Sequence, residues 1–186
     1  MKKYYKIFNI PNILTISRIL LLPFFIFGFY LGTKLGLLLS LFVFILCCAT
    51  DYLDGYIARA YNQTTELGKI LDPMADKILM FTSILCILTF DIVSKLSLIP
   101  ASIMICRDLL ITSLRNIVFT NGKNFKTLYI AKCKTAAQMV SISIIIFFNI
   151  ISIKEGIFFG EILFWISAII SMISCINYFY YFFHRK

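Results

Sequence analysis

Charge is scarce in this chain. Of its 186 residues, only 15% are Asp, Glu, Lys or Arg, and 60% are hydrophobic. A soluble globule is nearer a quarter charged and half apolar, so the shortage excludes an ordinary water-soluble domain. Negative charge is scarcer still, with nine Asp and Glu against 18 Lys and Arg and a net charge of +9. In a soluble protein that excess points to nucleic acid. Here the basic residues sit between apolar runs, so membrane orientation and anionic lipid account for them, and no nucleic-acid partner is expected. The six cysteines form no CxxC pair, which argues against a disulfide framework or a thiolate metal site. Cys47, Cys48, Cys86, Cys106 and Cys175 lie in apolar stretches as small hydrophobes. Cys133 lies between Lys132 and Lys134, in a segment expected in the reducing cytoplasm. The basic stretch Met1–Ile7 has no small-residue cleavage site after it, and Arg18 interrupts the following apolar run, so a removable secretory signal is not expected. No repeat, linker or low-complexity tract divides the chain, which reads as one transmembrane domain, residues 1–186.

What is present is a succession of apolar runs. A spanning helix needs about 20 largely apolar residues. Six segments reach that length: Ile13–Leu31, Leu35–Ala60, Ile70–Phe90, Leu96–Phe119, Ile130–Ile153 and Ile157–Phe183. Pro23 predicts a kink in the first. Only the last two hold long uncharged runs, Thr135–Ile153 and Ile162–Phe183. The others include charged residues, and charge at membrane depth is costly and usually functional. The expected fold is therefore all-α, a polytopic membrane protein of six transmembrane helices. The connections at Thr33–Lys34, Asp91–Lys95 and Lys154–Glu155 hold Lys34, Lys95 and Lys154. The other side holds Lys2, Lys3, Lys6, Arg59, Lys69, Lys123, Lys126, Lys132, Lys134, Arg185 and Lys186. The excess places that side, and both termini, in the cytoplasm.

The chemistry is concentrated in Asp51–Lys77, DYLDGYIARAYNQTTELGKILDPMADK. Asp51 and Asp54 are three apart and share a helix face, which Gly55 and Ala58 extend with small residues. Gly68, Asp72 and Asp76 recur every four residues and form a second one-sided stripe. The two stripes end and begin helices on the cytoplasmic side, so they are expected to face each other. Converging carboxylates repel, and a bound cation reverses that logic. Hard ions such as Mg²⁺ or Mn²⁺ would take two to four of these groups. Four suffice for a two-metal clamp on a phosphoryl group. Gly55, Ala58 and Gly68 leave room for a bulky ligand beside the backbone, and Arg59 offers a planar donor to phosphate.

The spacing Asp-x2-Asp-Gly-x2-Ala-Arg-x8-Gly-x3-Asp-x3-Asp between Asp51 and Asp76 resembles the signature of the CDP-alcohol phosphatidyltransferase family at every position. The resemblance implies a six-helix membrane enzyme, usually a homodimer. It implies a cytidine-diphosphate donor, an alcohol acceptor and CMP as leaving group. It also implies that Asp51, Asp54, Asp72 and Asp76 hold two divalent ions, with Asp76 as the base toward the acceptor hydroxyl. The segment NIPNILTISRILLL, residues 9–22, resembles the entry segment of bacterial members that use sn-glycerol 3-phosphate. By that resemblance Asn12 and Thr15 help hold the nucleotide, as does Thr65; read from the residues alone, Asn12 is a helix cap and Thr65 a polar loop residue.

The fourth run carries Arg107, Asp108 and Arg115. The arginines share a face through Ile111, and Arg107 lies roughly 16 Å along the helix from Leu96, near mid-membrane. It is expected to face a polar cavity. Arg107, Arg115 and Lys134 together suit a second phosphate; the simpler reading is that Arg107 pairs with Asp108 and that Lys132 and Lys134 only set orientation. The resemblance in this region implies glycerol 3-phosphate as acceptor, although Asp108 stands where Glu is usual. Trp165 and the Tyr178–Phe183 cluster read as lipid or dimer packing and an aromatic belt, and Glu161 as interfacial.

The expected function is transfer of a phosphatidyl group from the membrane substrate CDP-diacylglycerol to glycerol 3-phosphate. Within the family the alternatives are a cardiolipin synthase and a transferase to an inositol-type acceptor. From another class comes a divalent-cation transporter, disfavoured because the carboxylates cluster at one face beside Arg59 and Lys69.

Overall fold

A computed structural model describes residues 10–60, 66–120 and 129–184, without the side chains of 10–11, 52, 54–60, 66–67, 69–70, 115–120, 129–132 and 181–184. The described chain is helical: α1 (Ile10–Tyr30), α2 (Lys34–Ala60), α3 (Glu66–Thr89), a short 3₁₀ turn (Lys95–Ser97), α4 (Leu98–Thr120), α5 (Tyr129–Ile150) and α6 (Lys154–His184). Among the described residues five stretches are long and apolar enough to cross a membrane: Asn12–Tyr30, Lys34–Asp51, Lys95–Leu114, Cys133–Ile150 and Lys154–Tyr180. α3 completes the expected six helices but not on apolarity, because Glu66, Lys69, Asp72, Asp76 and Lys77 charge its first half. The all-α membrane architecture is as the sequence predicts. α1 continues through Pro23, and α3 through Pro73.

The helices pack as two compact units, Met1–Cys86 and Ile87–Lys186. In the first, α1 and α2 form a tight hairpin. Gly32 adopts φ +60, a left-handed turn that favours glycine. Thr33 Oγ1 then accepts the Gly36 amide at 3.1 Å and caps α2. Small residues let the two backbones touch: a Cβ on Gly28 would sit 2.4 Å from the Gly36 carbonyl oxygen. Ser40 Oγ donates across the same seam to the Phe25 carbonyl at 2.7 Å. Beyond it Phe25, Phe29 and Phe44 pack their rings 5.1 and 6.0 Å apart.

In the second unit α6 packs against both α4 and α5. Gly160 admits Ile145, and Met104, Ile142, Ile145, Ile146 and Phe164 are fully buried. Ser167 Oγ donates to the Phe164 carbonyl at 2.8 Å and approaches Met104 Sδ at 3.1 Å, tying α6 to α4. At the start of α4 the Glu161 carboxylate accepts the Ser94 amide and, at 3.2 Å, the Ser97 hydroxyl. A carboxylate there is favourable because the amides of a helix start point outward. Glu161, expected to be interfacial, thus also ties α6 to the 3₁₀ turn before α4.

Candidate active site

One face of α1 is buried along its length through Asn12, Thr15, Arg18, Leu22, Phe25 and Phe29. Spacing of three and four residues places them in one stripe. The stripe is apolar toward the C-terminus and polar toward the N-terminus. Its polar half contains the two residues expected to hold the nucleotide, Asn12 and Thr15, each 2% exposed. The same half contains Arg18, 1% exposed.

Arg18 organises the acidic residues of this unit. Its Nη1 donates to Asp51 Oδ1 at 2.7 Å, and its Nη2 lies 3.5 Å from Asp72 Oδ1. Asp51 comes from α2 and Asp72 from α3, so one guanidinium ties three helices. The expectation that the two aspartate stripes meet is realised for this pair. Asp76 lies one turn further along α3, with Oδ1 buried. Gly68 opens the stripe two turns before Asp76, inside α3. Asp54, Gly55, Ala58 and Arg59 belong to the last turns of α2, and their surroundings lie outside the described residues, as does all of Thr65.

The donor chemistry suits a divalent ion, since Asp51 and Asp72 present hard carboxylate oxygens toward one positive charge. Among the described residues no group of three Asp, Glu, His or Cys side chains is gathered closely enough to hold a metal ion. Sequence reasoning missed the part played by Arg18, which it used only as an interruption of an apolar run. The signal was there, because an arginine at membrane depth demands a partner.

A second polar cluster lies in the other unit. Arg107 Nη1 donates to Asp108 Oδ1 at 2.8 Å, and Lys134 Nζ donates to Asp108 Oδ2 at 2.5 Å. One carboxylate therefore joins a cation from α4 to a cation from α5. Arg107 Nη2 donates to Ser174 Oγ at 2.6 Å, and the guanidinium lies 5.9 Å from the centre of the Tyr178 ring. Lys134, Gln138, Ser141, Ser171 and Ser174 are all buried in the same unit. Gln138 Oε1, Ser171 Oγ and Arg107 Nε are buried with no hydrogen-bond partner among the described residues.

The pairing of Arg107 with Asp108, the simpler of the two expectations, is what the structure contains. Lys134 is more than an orientation signal, being buried and ion-paired. The Arg115 side chain lies outside the described residues. Tyr178, expected to pack against lipid or a dimer partner, is instead 4% exposed and lies against Arg107. An aromatic near a helix end looks like a belt residue until its partner is known.

The model of one protein family, described as CDP-alcohol phosphatidyltransferase, matches residues 8–173. The chain belongs to that family. The match takes in the α1 stripe, the aspartate segment and the Arg107–Lys134 cluster. The curated relatives are similar over nearly their whole length. One from Rickettsia felis is 38% identical over 175 residues, 92% of this chain and 93% of the relative. One from Wigglesworthia glossinidia brevipalpis is 38% identical over 174 residues, with the same coverage. One from Salmonella typhimurium is 35% identical over 173 residues, again with that coverage. All three bear the name CDP-diacylglycerol–glycerol-3-phosphate 3-phosphatidyltransferase.

Proposed function

We propose that the chain transfers the phosphatidyl group of CDP-diacylglycerol to sn-glycerol 3-phosphate, forming phosphatidylglycerophosphate and releasing CMP. The similarity to relatives of that name over 92% of the chain supports the reaction. The observation that carries the acceptor assignment is the buried Arg107–Asp108–Lys134 cluster. A neutral alcohol gives no reason to hold two cations at this depth, whereas an acceptor with its own phosphate does.

In this reading Asp51, Asp54, Asp72 and Asp76 hold two divalent ions, Mg²⁺ or Mn²⁺, which when bound neutralise the donor diphosphate and the charge on departing CMP. Asn12, Thr15, Arg59 and Thr65 hold the cytidine nucleotide by hydrogen bonds. Gly55, Ala58 and Gly68 let it lie close to the helix backbones. Asp76 takes the proton from the acceptor hydroxyl as its oxygen attacks the phosphorus that carries the lipid. Arg107, Arg115 and Lys134 bind the acceptor phosphate and so orient that hydroxyl. The whole chain acts as one transmembrane domain, paired as a homodimer in a bacterial cytoplasmic membrane. Its active site and both termini face the cytoplasm.

The test is CMP release by the purified protein in detergent with CDP-diacylglycerol, Mg²⁺ and separate acceptors. Release with glycerol 3-phosphate, and none with inositol 1-phosphate, serine or phosphatidylglycerol, is expected. Release with phosphatidylglycerol alone would make the chain a cardiolipin synthase. Metal uptake into proteoliposomes without lipid turnover would make it a transporter.

A further inference from the structure

Arg18 has no place in the phosphate chemistry described so far, yet it is among the most deeply buried charged groups of its unit. Its two terminal nitrogens go to different carboxylates, and both reach the Oδ1 atom. Among the described residues no hydrogen bond reaches Oδ2 of Asp51 or of Asp72. The carboxylates are partly open, 32% and 43% exposed, while the arginine between them is closed from solvent. One oxygen of each acid is thus paired with an internal cation, while each carboxylate stays partly exposed.

We propose that Arg18 is a built-in counter-cation, which holds Asp51 and Asp72 together when no divalent ion is bound and weakens divalent-ion binding at that pair. This rests on the reading of these aspartates as ion ligands. The physical argument is Coulombic. Without a cation the acids repel each other and drive their helices apart. A guanidinium offsets that repulsion, and its planar fork reaches two acids at once where an ammonium reaches one. The same positive charge, a few ångströms from an arriving ion, repels it. The site therefore stays assembled when empty and releases its ion readily. Arg18 acts through Asp51 and Asp72, so it is a positioning residue.

The experiment uses the full chain in detergent, with Mn²⁺ alone as probe. Binding is read by the loss of the free-ion paramagnetic resonance signal, and stability by thermal unfolding in chelator and in Mn²⁺. Arg18→Gln is expected to unfold at lower temperature than the wild type in chelator. It is expected to bind Mn²⁺ about tenfold more tightly, from removal of one nearby like charge, and to gain more stability from the ion than the wild type does. Arg18→Lys keeps the charge, so its Mn²⁺ affinity should stay within about threefold of the wild type. An arginine that merely braces three helices would lower stability without tightening Mn²⁺ binding. Mn²⁺ binding to Arg18→Gln no tighter than to the wild type overturns the proposal. So does an Arg18→Gln protein equally unfolded in chelator and in Mn²⁺, or a tenfold tightening in Arg18→Lys. A wild type that binds no Mn²⁺ overturns the ion-ligand reading itself and this inference with it.

Discussion

The two units solve opposite electrostatic problems with the same device. In the first, a single buried cation, Arg18, bridges two half-open carboxylates; in the second, a single anion, Asp108, bridges two buried cations. The exposures differ accordingly. Asp51 and Asp72 are 32% and 43% exposed, whereas Asp108 is 12% exposed and Arg107 and Lys134 are more deeply buried than it is. The first cluster is thus assembled around its counter-charge but open on one side. The second is more deeply buried, with Asp108 paired to both cations. Buried charge survives in apolar surroundings only when paired, so each cluster carries a stand-in for the ligand charge of the proposed reaction.

The comparison breaks most visibly at the proposed base. Asp76→Asn is expected to lower the rate of CMP release by at least about 100-fold, the range of a lost general base, while CDP-diacylglycerol binding, followed by equilibrium dialysis, stays near normal. Near-normal turnover would remove Asp76 from that role. Next comes the bridging anion. Asp108→Asn leaves Arg107 and Lys134 buried without a carboxylate, and thermal or denaturant unfolding should register a loss of about 3–5 kcal/mol. A loss below 1 kcal/mol would mean that the cluster is solvated. Arg115→Ala is expected mainly to raise the KM for glycerol 3-phosphate, by roughly 10-fold for one charged hydrogen bond, with kcat little changed. Unchanged acceptor kinetics would take Arg115 out of the pocket. The smallest effect belongs to the Glu161 contact before α4: Glu161→Gln should cost about 0.5–1 kcal/mol of stability through the helix start and leave turnover unaltered.

Much of the fold was legible because a membrane allows so few solutions. Backbone polar groups must be satisfied within each crossing, so long apolar runs identify helices, and the structure places helices on all six predicted runs. The exception to apolarity, α3, is the helix whose first half carries Asp72 and Asp76. The meeting of Asp51 with Asp72 was also legible, since their spacing puts each acid on one face. Its intermediary was not. Arg18 is remote in sequence from both acids, and nothing in the residues around it names a partner. In the second unit the Arg107–Asp108 pair was legible from adjacency, but Ser174 and Tyr178 were hidden in an α6 stretch that reads as uniformly apolar and aromatic. Their importance follows from which face of α6 meets α4. A run hydrophobic on every side gives no periodic clue to that face.

In the proposed reaction the Arg18 cluster handles the ion and the Arg107 cluster the acceptor, a division of labour between oppositely charged clusters. Its most direct test is an initial-rate matrix, varying Mg²⁺ and glycerol 3-phosphate independently, for the wild type, Asp51→Asn and Lys134→Met. Asp51→Asn is expected to raise the Mg²⁺ concentration for half-maximal activity with little change in acceptor KM, and Lys134→Met to raise acceptor KM with little change in the Mg²⁺ requirement. Both variants shifting both parameters alike, or Lys134→Met leaving the acceptor KM at its wild-type value, would contradict it.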